Sequence, residues 1–308
     1  MDYPKMLQIE TFLGCNARCT MCTIHDWARP HGGMTDEVFT RVVEQATAFR
    51  DKLKVVSLYM DGEPLMDRSL ENRVAACKMA GLPNVGFSTN ASLLRPDRAR
   101  WLLEAGLDWV TISFDSLDRE TYEAIRVRLE FDAVMDNIRY FVAIRDEVRP
   151  ATKITMRFPE QDANAGEYES YRAFWSEVLT AGRDEVQQLP VHNWGHGEDD
   201  PSFYGNAPCG SVFDKCVVLR DGTVPLCCVD YNAKYVFGNV MDTPLLDIWN
   251  NAEWQRVRRL HRERRRGELS ICATCDIPNH EYRTDRVGDV APAEPVAPGP
   301  VAQAAISK

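Results

Sequence analysis

Six short apolar runs, at about residues 7–13, 55–60, 84–89, 109–114, 153–158 and 185–191, alternate with helical patterns. The helical patterns fall at about 35–52, 67–80, 95–105, 118–146 and 166–181. Repeated strand–helix units of this kind build a parallel sheet with helices packed on it. Chemistry in such sheets collects at the C-terminal ends of the strands. The first run leads straight into "GCNARCTMC", placing Cys15, Cys19 and Cys22 where a site is expected.

The 308 residues suffice for one large domain, or one domain and a smaller module. Of the ten cysteines, three form this trio, Cys77 stands alone, and six lie between 209 and 275. The N-terminus has no basic n-region or apolar h-region, so export and a disulfide scaffold are not expected. Grouped thiols in a reducing cytoplasm point instead to metal or iron–sulfur sites. A net charge of -10 argues against nonspecific nucleic-acid or membrane binding. The apolar runs are strand-sized, so no membrane span is expected.

Three thiolates are an incomplete set. Zinc usually takes four protein ligands, and a ferredoxin-type cluster four cysteines. Zinc completed by His25 or His31 is one reading. Cys-x3-Cys-x2-Cys after a first strand resembles the radical S-adenosylmethionine (SAM) superfamily. That resemblance implies that the trio holds three irons of a [4Fe–4S] cluster, with SAM chelating the fourth. Reductive cleavage of SAM then yields a 5′-deoxyadenosyl radical that abstracts a substrate hydrogen.

"MDGEP" resembles the family's GGEP, with Asp61 in place of the first glycine. The likeness implies close backbone approach at Gly62 and a Glu63 carboxylate that accepts from the SAM ammonium. "STNAS" (88–92) and "ISFDS" (112–116) resemble the family's SAM-facing segments, implying roles for Ser88, Asn90, Ser113 and Asp115. Met21 stands where the family has an apolar residue against adenine. The implied fold is α/β: a partial (β/α)6 TIM-like barrel over residues 1–195, served by a flavodoxin- or ferredoxin-type reductant.

The C-terminal part resembles the SPASM/twitch extensions of this family. Cys209, Gly222 and Cys227 meet the opening pattern, "FGNV" and "LLDIWNN" the linking segment, and Cys272 and Cys275 close it. This implies a second [4Fe–4S] cluster on Cys209, Cys227, Cys272 and Cys275, in a module over 196–285; zinc is the alternative for these four. The Pro/Ala-rich tail, 286–308, is expected to be disordered. Asp221-Gly222 signals a hairpin that sets Cys216 cross-strand from Cys227 and turns Cys228 to the other face. The arginine-rich stretch 254–269 reads as a solvated helix face. The loop 190–201, with His192, Asn193, Trp194 and His196, suits a hydroxyl-rich substrate or a structural linker.

Small enzymes of this layout include aminoglycoside- and carbohydrate-pathway epimerases and dehydrogenases, acting on carbinol C–H bonds of small molecules. The spare thiols favour epimerisation, with Cys216 as hydrogen donor and Cys228 as fallback. Dehydrogenation with the auxiliary cluster as electron acceptor is the alternative, and peptide modification the third. A non-catalytic iron–sulfur electron carrier would explain the clusters but not the SAM-facing segments.

Overall fold

The computed structural model describes residues 1–195 and 206–280. The six expected strands form: β1 (Met6–Ile9), β2 (Val55–Ser57), β3 (Val85–Thr89), β4 (Trp109–Ser113), β5 (Lys153–Glu160) and β6 (Glu185–Pro190). A seventh, β7 (Lys215–Val218), comes from the C-terminal part and pairs with β1. The spatial order is β6-β5-β4-β3-β2-β1-β7 and every pairing is parallel. The parallel sheet is that expected from the alternation, and the fold is the partial barrel that the family resemblance implied.

Alternate residues take opposite faces of each strand. Val110 and Ile112 of β4, with Ile154, Met156 and Phe158 of β5, are buried in the main apolar core. Helices α1 (Asp36–Thr47), α2 (Leu70–Met79) and α3 (Pro96–Glu104) add to that core. In α1, Thr35 caps the N-terminus by accepting from Val38 N, and Val38, Phe39, Val42, Val43 and Ala46 are buried. The other strand face is polar. Gln8 is in register with Ser57, Ser88 with Thr111 and Thr155, and Ser113 with Arg157 and Gln187.

The helical pattern 118–146 is broken into α4 (Arg119–Ile125) and α5 (Phe131–Val148). Between them Arg128 has φ +78°, which a right-handed helix does not hold. The break frees carbonyls for the cysteine loop: Arg18 N donates to Val127 O (2.9 Å) and Thr20 N to Ile125 O (3.0 Å). α6 (Tyr168–Val178) completes this half of the chain.

The C-terminal part departs from expectation in two places. The turn at Asp221-Gly222 forms, with Gly222 at φ +86° and Leu219 N donating to Thr223 O at 2.8 Å. Its arms then separate. β7 joins the main sheet, whereas β8 (Thr223–Pro225) pairs antiparallel with β9 (Val236–Asn239). Cys216 therefore faces Leu7 in the register, not Cys227. The arginine-rich α7 (Ala252–Arg262) is also not a wholly solvated face: Trp254, Val257, Arg258, Leu260 and His261 are buried. The Arg258 guanidinium lies 4.2 Å over the Trp249 ring, where a delocalised, weakly hydrated cation loses least on burial. No helix among the described residues is long and apolar enough to cross a membrane. His196, the expected boundary at 195/196 and the tail 286–308 lie outside the described residues.

Candidate functional site

The trio sits in the loop beyond Phe12–Leu13, with Cys19 buried and Cys15 and Cys22 half-buried. Backbone and side-chain donors surround the sulfurs. Ala17 N reaches Cys15 Sγ at 3.4 Å, Asn90 Nδ2 lies 3.8 Å from the same sulfur, and Arg126 Nη1 is 3.4 Å from Cys19 Sγ. Burial pushes the Cys15 thiol up to about 12 and Cys22 up to about 11. Thiols so placed become thiolates only beside added positive charge, which a cluster's iron supplies.

The Gly62 loop is stitched to this one. Glu63 N donates to Gly14 O at 2.8 Å. A Cβ on Gly62, at φ +91°, would stand 2.4 Å from Gly14 O and 2.8 Å from Gly14 N. Only glycine allows that approach. The buried Glu63 carboxylate accepts from Leu65 N (3.0 Å), Thr89 Oγ1 (2.6 Å) and Asn90 N (2.8 Å). Burial raises its pKa against these bonds. A carboxylate has about four acceptor positions, so one remains for an ammonium. Glu63→Gln is expected to weaken SAM binding by about 1.5–3 kcal/mol, roughly ten- to a hundredfold, with iron content unchanged. Equilibrium binding on reconstituted protein checks this; unchanged affinity would refute the role.

Ser88 and Ser113 lie near the ends of β3 and β4 on the polar face, and Ser88 Oγ is buried without a hydrogen-bond partner. Asn90 Nδ2 donates to Asn16 Oδ1 at 3.1 Å, joining β3 to the cysteine loop. Met21 is half-buried against the core. Asp115 differs from expectation. Its carboxylate is fully buried and held at both oxygens by Arg126, with Nη2 to Oδ1 at 2.8 Å. It therefore aims Arg126 at Cys19, and Arg126 occupies one acceptor position on each of its two oxygens. Nothing in the spacing singled out Arg126, because the pair forms only when the chain breaks between α4 and α5.

Two further groups escaped the sequence reading. Arg157 lies beside Ser113 on the polar face, and its Nε is buried and unpartnered; the alternation in "KITMRF" was the available signal. Glu10 is buried and bound at both oxygens by Arg29, at 2.7 and 2.5 Å. Asp61 receives less. Its Oδ2 lies 3.6 Å from Arg29 Nη2 and is buried without a hydrogen bond. Burial and the Glu10 charge hold Asp61 well above the ordinary carboxylate range.

In the C-terminal part, Cys209, Cys227, Cys272 and Cys275 line one small cavity, together with Cys228, His261 and Arg266. Burial raises all four thiols, Cys275 to about 12. Arg266 Nη1 donates to Cys272 O and to Cys275 O (3.1 Å), fixing the CATC loop. Cys209 N donates to His261 Nδ1 at 3.1 Å, and His261 Nε2 is buried without a partner. Burial pushes this imidazole down to about 3, so it is neutral. Asn193 Nδ2 donates to Thr274 O (2.6 Å) and Thr274 Oγ1 to Gly195 O (2.8 Å). These contacts give the described part of the 190–201 loop a structural task. Zinc at 2.3 Å would need sulfurs about 3.8 Å apart. Among the described residues no group of three or more His, Cys, Asp or Glu converges to hold a single ion.

The two spare thiols separate. Cys216 is fully buried in the helix-covered core, with Leu7, Trp249 and Trp254, and burial pushes its thiol up to about 12. Its neighbours Val217 and Leu219 pack in a different cluster, with Met60 and Tyr231. Cys216 is thus packing, and the expected donor role fails on geometry. Cys228 is half-buried against that second cluster and lines the auxiliary cavity, with Lys215 Nζ 3.7 Å from its sulfur.

Comparison with known proteins agrees with this layout. The family model described as "Radical SAM superfamily" matches residues 9–158, and SPASM, an "Iron-sulfur cluster-binding domain", matches 209–276. One curated relative is the tungsten-containing aldehyde ferredoxin oxidoreductase cofactor-modifying protein of Pyrococcus furiosus, 29% identical over 47% of this chain and 40% of its own length. The chain thus spans less than half of that relative. Another is the S-adenosyl-L-methionine-dependent 2-deoxy-scyllo-inosamine dehydrogenase of Niallia circulans, 21% identical over 88% of this chain and 92% of that protein. The crystal structure of BtrN in complex with AdoMet and 2-DOIA superposes with TM-score 0.62 at 20% identity, covering 90% of this chain and 94% of that one. The chain belongs to the radical SAM superfamily and carries a C-terminal SPASM domain, so its cofactors are SAM and two [4Fe–4S] clusters.

Proposed function

We infer that the protein dehydrogenates a carbinol carbon of an aminocyclitol- or sugar-type small molecule. Cys15, Cys19 and Cys22 hold the first cluster, and Cys209, Cys227, Cys272 and Cys275 the second. The observation that carries the reaction type is the burial of Cys216. Inversion at carbon needs a hydrogen donor, and the thiol expected to supply it lies in the core behind the sheet. The likeness over nearly the whole chain to a named dehydrogenase supports the same reading.

When bound, SAM and the clusters supply the carbon radical that takes the hydrogen atom and an acceptor for the remaining electron. The chain's residues handle the proton and the hydroxyls. Asp61 Oδ2, raised in pKa and short of partners, takes the hydroxyl proton as the carbonyl forms. Arg157 Nε, unpartnered on the polar face, donates to substrate oxygen. Asp61→Asn is expected to keep SAM cleavage and lower ketone formation by about 10²–10⁴-fold. The rate of the unmodified enzyme should rise with pH through a carboxylate pKa above the ordinary range, and the Asn variant should lose that limb.

The reaction itself is tested by supplying 2-deoxy-scyllo-inosamine, SAM and a low-potential reductant, then identifying products. A ketone with 5′-deoxyadenosine is expected. A second reading, epimerisation, rests on the position of Cys228 beside the auxiliary cavity. An inverted product carrying solvent deuterium, abolished by Cys228→Ala, would establish it in place of dehydrogenation.

A further inference from the structure

His261 is a buried polar side chain with one half of its hydrogen bonding accounted for. It lies on α7, fully buried, and lines the cavity formed by the four C-terminal cysteines. Its Nδ1 accepts from Cys209 N at 3.1 Å. A ring nitrogen that accepts carries no hydrogen, so the remaining proton of the neutral imidazole is on Nε2. That Nε2–H is buried with no partner in the protein. A buried donor left unmade is costly, and such orphans are uncommon in folded chains. The cavity wall beside it carries Ser211 and Arg266, the cysteine sulfurs, and the apolar Val212, Val229, Ile271 and Ile277, and none of these groups accepts from Nε2. The group that completes the donor is therefore one that the cavity holds.

We propose that His261 Nε2–H donates a hydrogen bond to a sulfur of the second cluster and raises its reduction potential. The inference rests on the reading that Cys209, Cys227, Cys272 and Cys275 hold that cluster. The reduced cluster carries more negative charge on its sulfurs, so a fixed donor stabilises it more than the oxidised form. His261 is a positioning and tuning residue, with one nitrogen ordering the Cys209 backbone and the other facing the sulfurs.

Two substitutions divide these tasks. The amide oxygen of Asn can occupy the Nδ1 position, so His261→Asn keeps an acceptor for Cys209 N and drops the donor. Gln places its amide nitrogen near Nε2, so His261→Gln keeps a donor and drops the acceptor. In reconstituted holoprotein, redox titration followed by electron paramagnetic resonance should show a lower potential for the second cluster in the Asn variant. About a tenfold change in the reduced-to-oxidised equilibrium corresponds to about 59 mV for one electron. The Gln variant should stay near the unmodified value, and the first cluster should not move in either. Equal shifts in both variants, or none in the Asn variant with iron intact, would overturn the proposal. A measurement on unmodified protein guards against failed assembly. With histidine nitrogens isotopically labelled, the reduced second cluster should show a coupled nitrogen and an exchangeable proton; absence of both also overturns it. Failure of the ligand reading looks different, since Cys272→Ala/Cys275→Ala protein would then retain both cluster signals.

Discussion

Gly62→Ala is expected to abolish the first cluster and SAM binding while leaving the second cluster in place. A Cβ there would meet Gly14 O at 2.4 Å, Gly14 N at 2.8 Å and Phe12 O at 3.0 Å. All three are backbone atoms of the loop that leads into Cys15, so no side chain can rotate aside. The φ of +91° adds a conformational cost of about 1–3 kcal/mol for any other residue. The two loops must separate, which breaks the Glu63 N to Gly14 O bond and moves the carboxylate away from Cys15. Iron content should fall from about eight to about four per chain, at four for each cluster. Gly166→Ala is the control: its φ is +82°, yet nothing lies within 4 Å of the added Cβ, so only the conformational cost remains. A Gly62→Ala protein with full iron and normal SAM affinity would refute the packing argument.

The double substitution Cys272→Ala/Cys275→Ala should remove the other half of the iron. Both thiols are buried in the auxiliary cavity, and Arg266 holds the carbonyls of the same two residues. Cluster binding to such a site is coupled to folding of the segment that carries it. Iron should again fall to about four per chain, the first cluster should still cleave SAM, and the segment 209–276 should become sensitive to proteolysis. Measurement of iron, zinc and sulfide per chain decides the matter. About four irons and one zinc in the unmodified protein would leave the second site to zinc.

Much of the fold was legible because its signals are local. Six strands and their helices follow from runs of apolar residues with the right period, whereas the polar inner face, though signalled by alternation within "KITMRF", was not read from the sequence. The break between α4 and α5 was not legible, since neither glycine nor proline marks Arg128. The seventh strand was hidden for another reason. "CVVLRDGTVPLCC" reads as two arms of one hairpin, and the turn does form. Which strand each arm pairs with is settled by the exposed edge of β1, far away in the chain.

The sequence by itself grouped Cys15, Cys19 and Cys22, which share one loop. Cys209, Cys227 and the Cys272/Cys275 pair lie far apart in the chain, were grouped by family resemblance, and meet at one cavity only in the fold. Gly62 and Glu63 were assigned beside the first trio by the likeness of "MDGEP" to the family's GGEP. Tertiary structure alone decided which polar groups are already engaged. Asp115 is held by Arg126, Glu10 by Arg29, and Cys216 by the core, whereas Asp61, Arg157 and His261 retain unpartnered buried atoms. The physical reason is that a side chain's chemistry depends on burial and on the hydrogen bonds left to make. Those bonds are formed between segments that only the folded chain brings together.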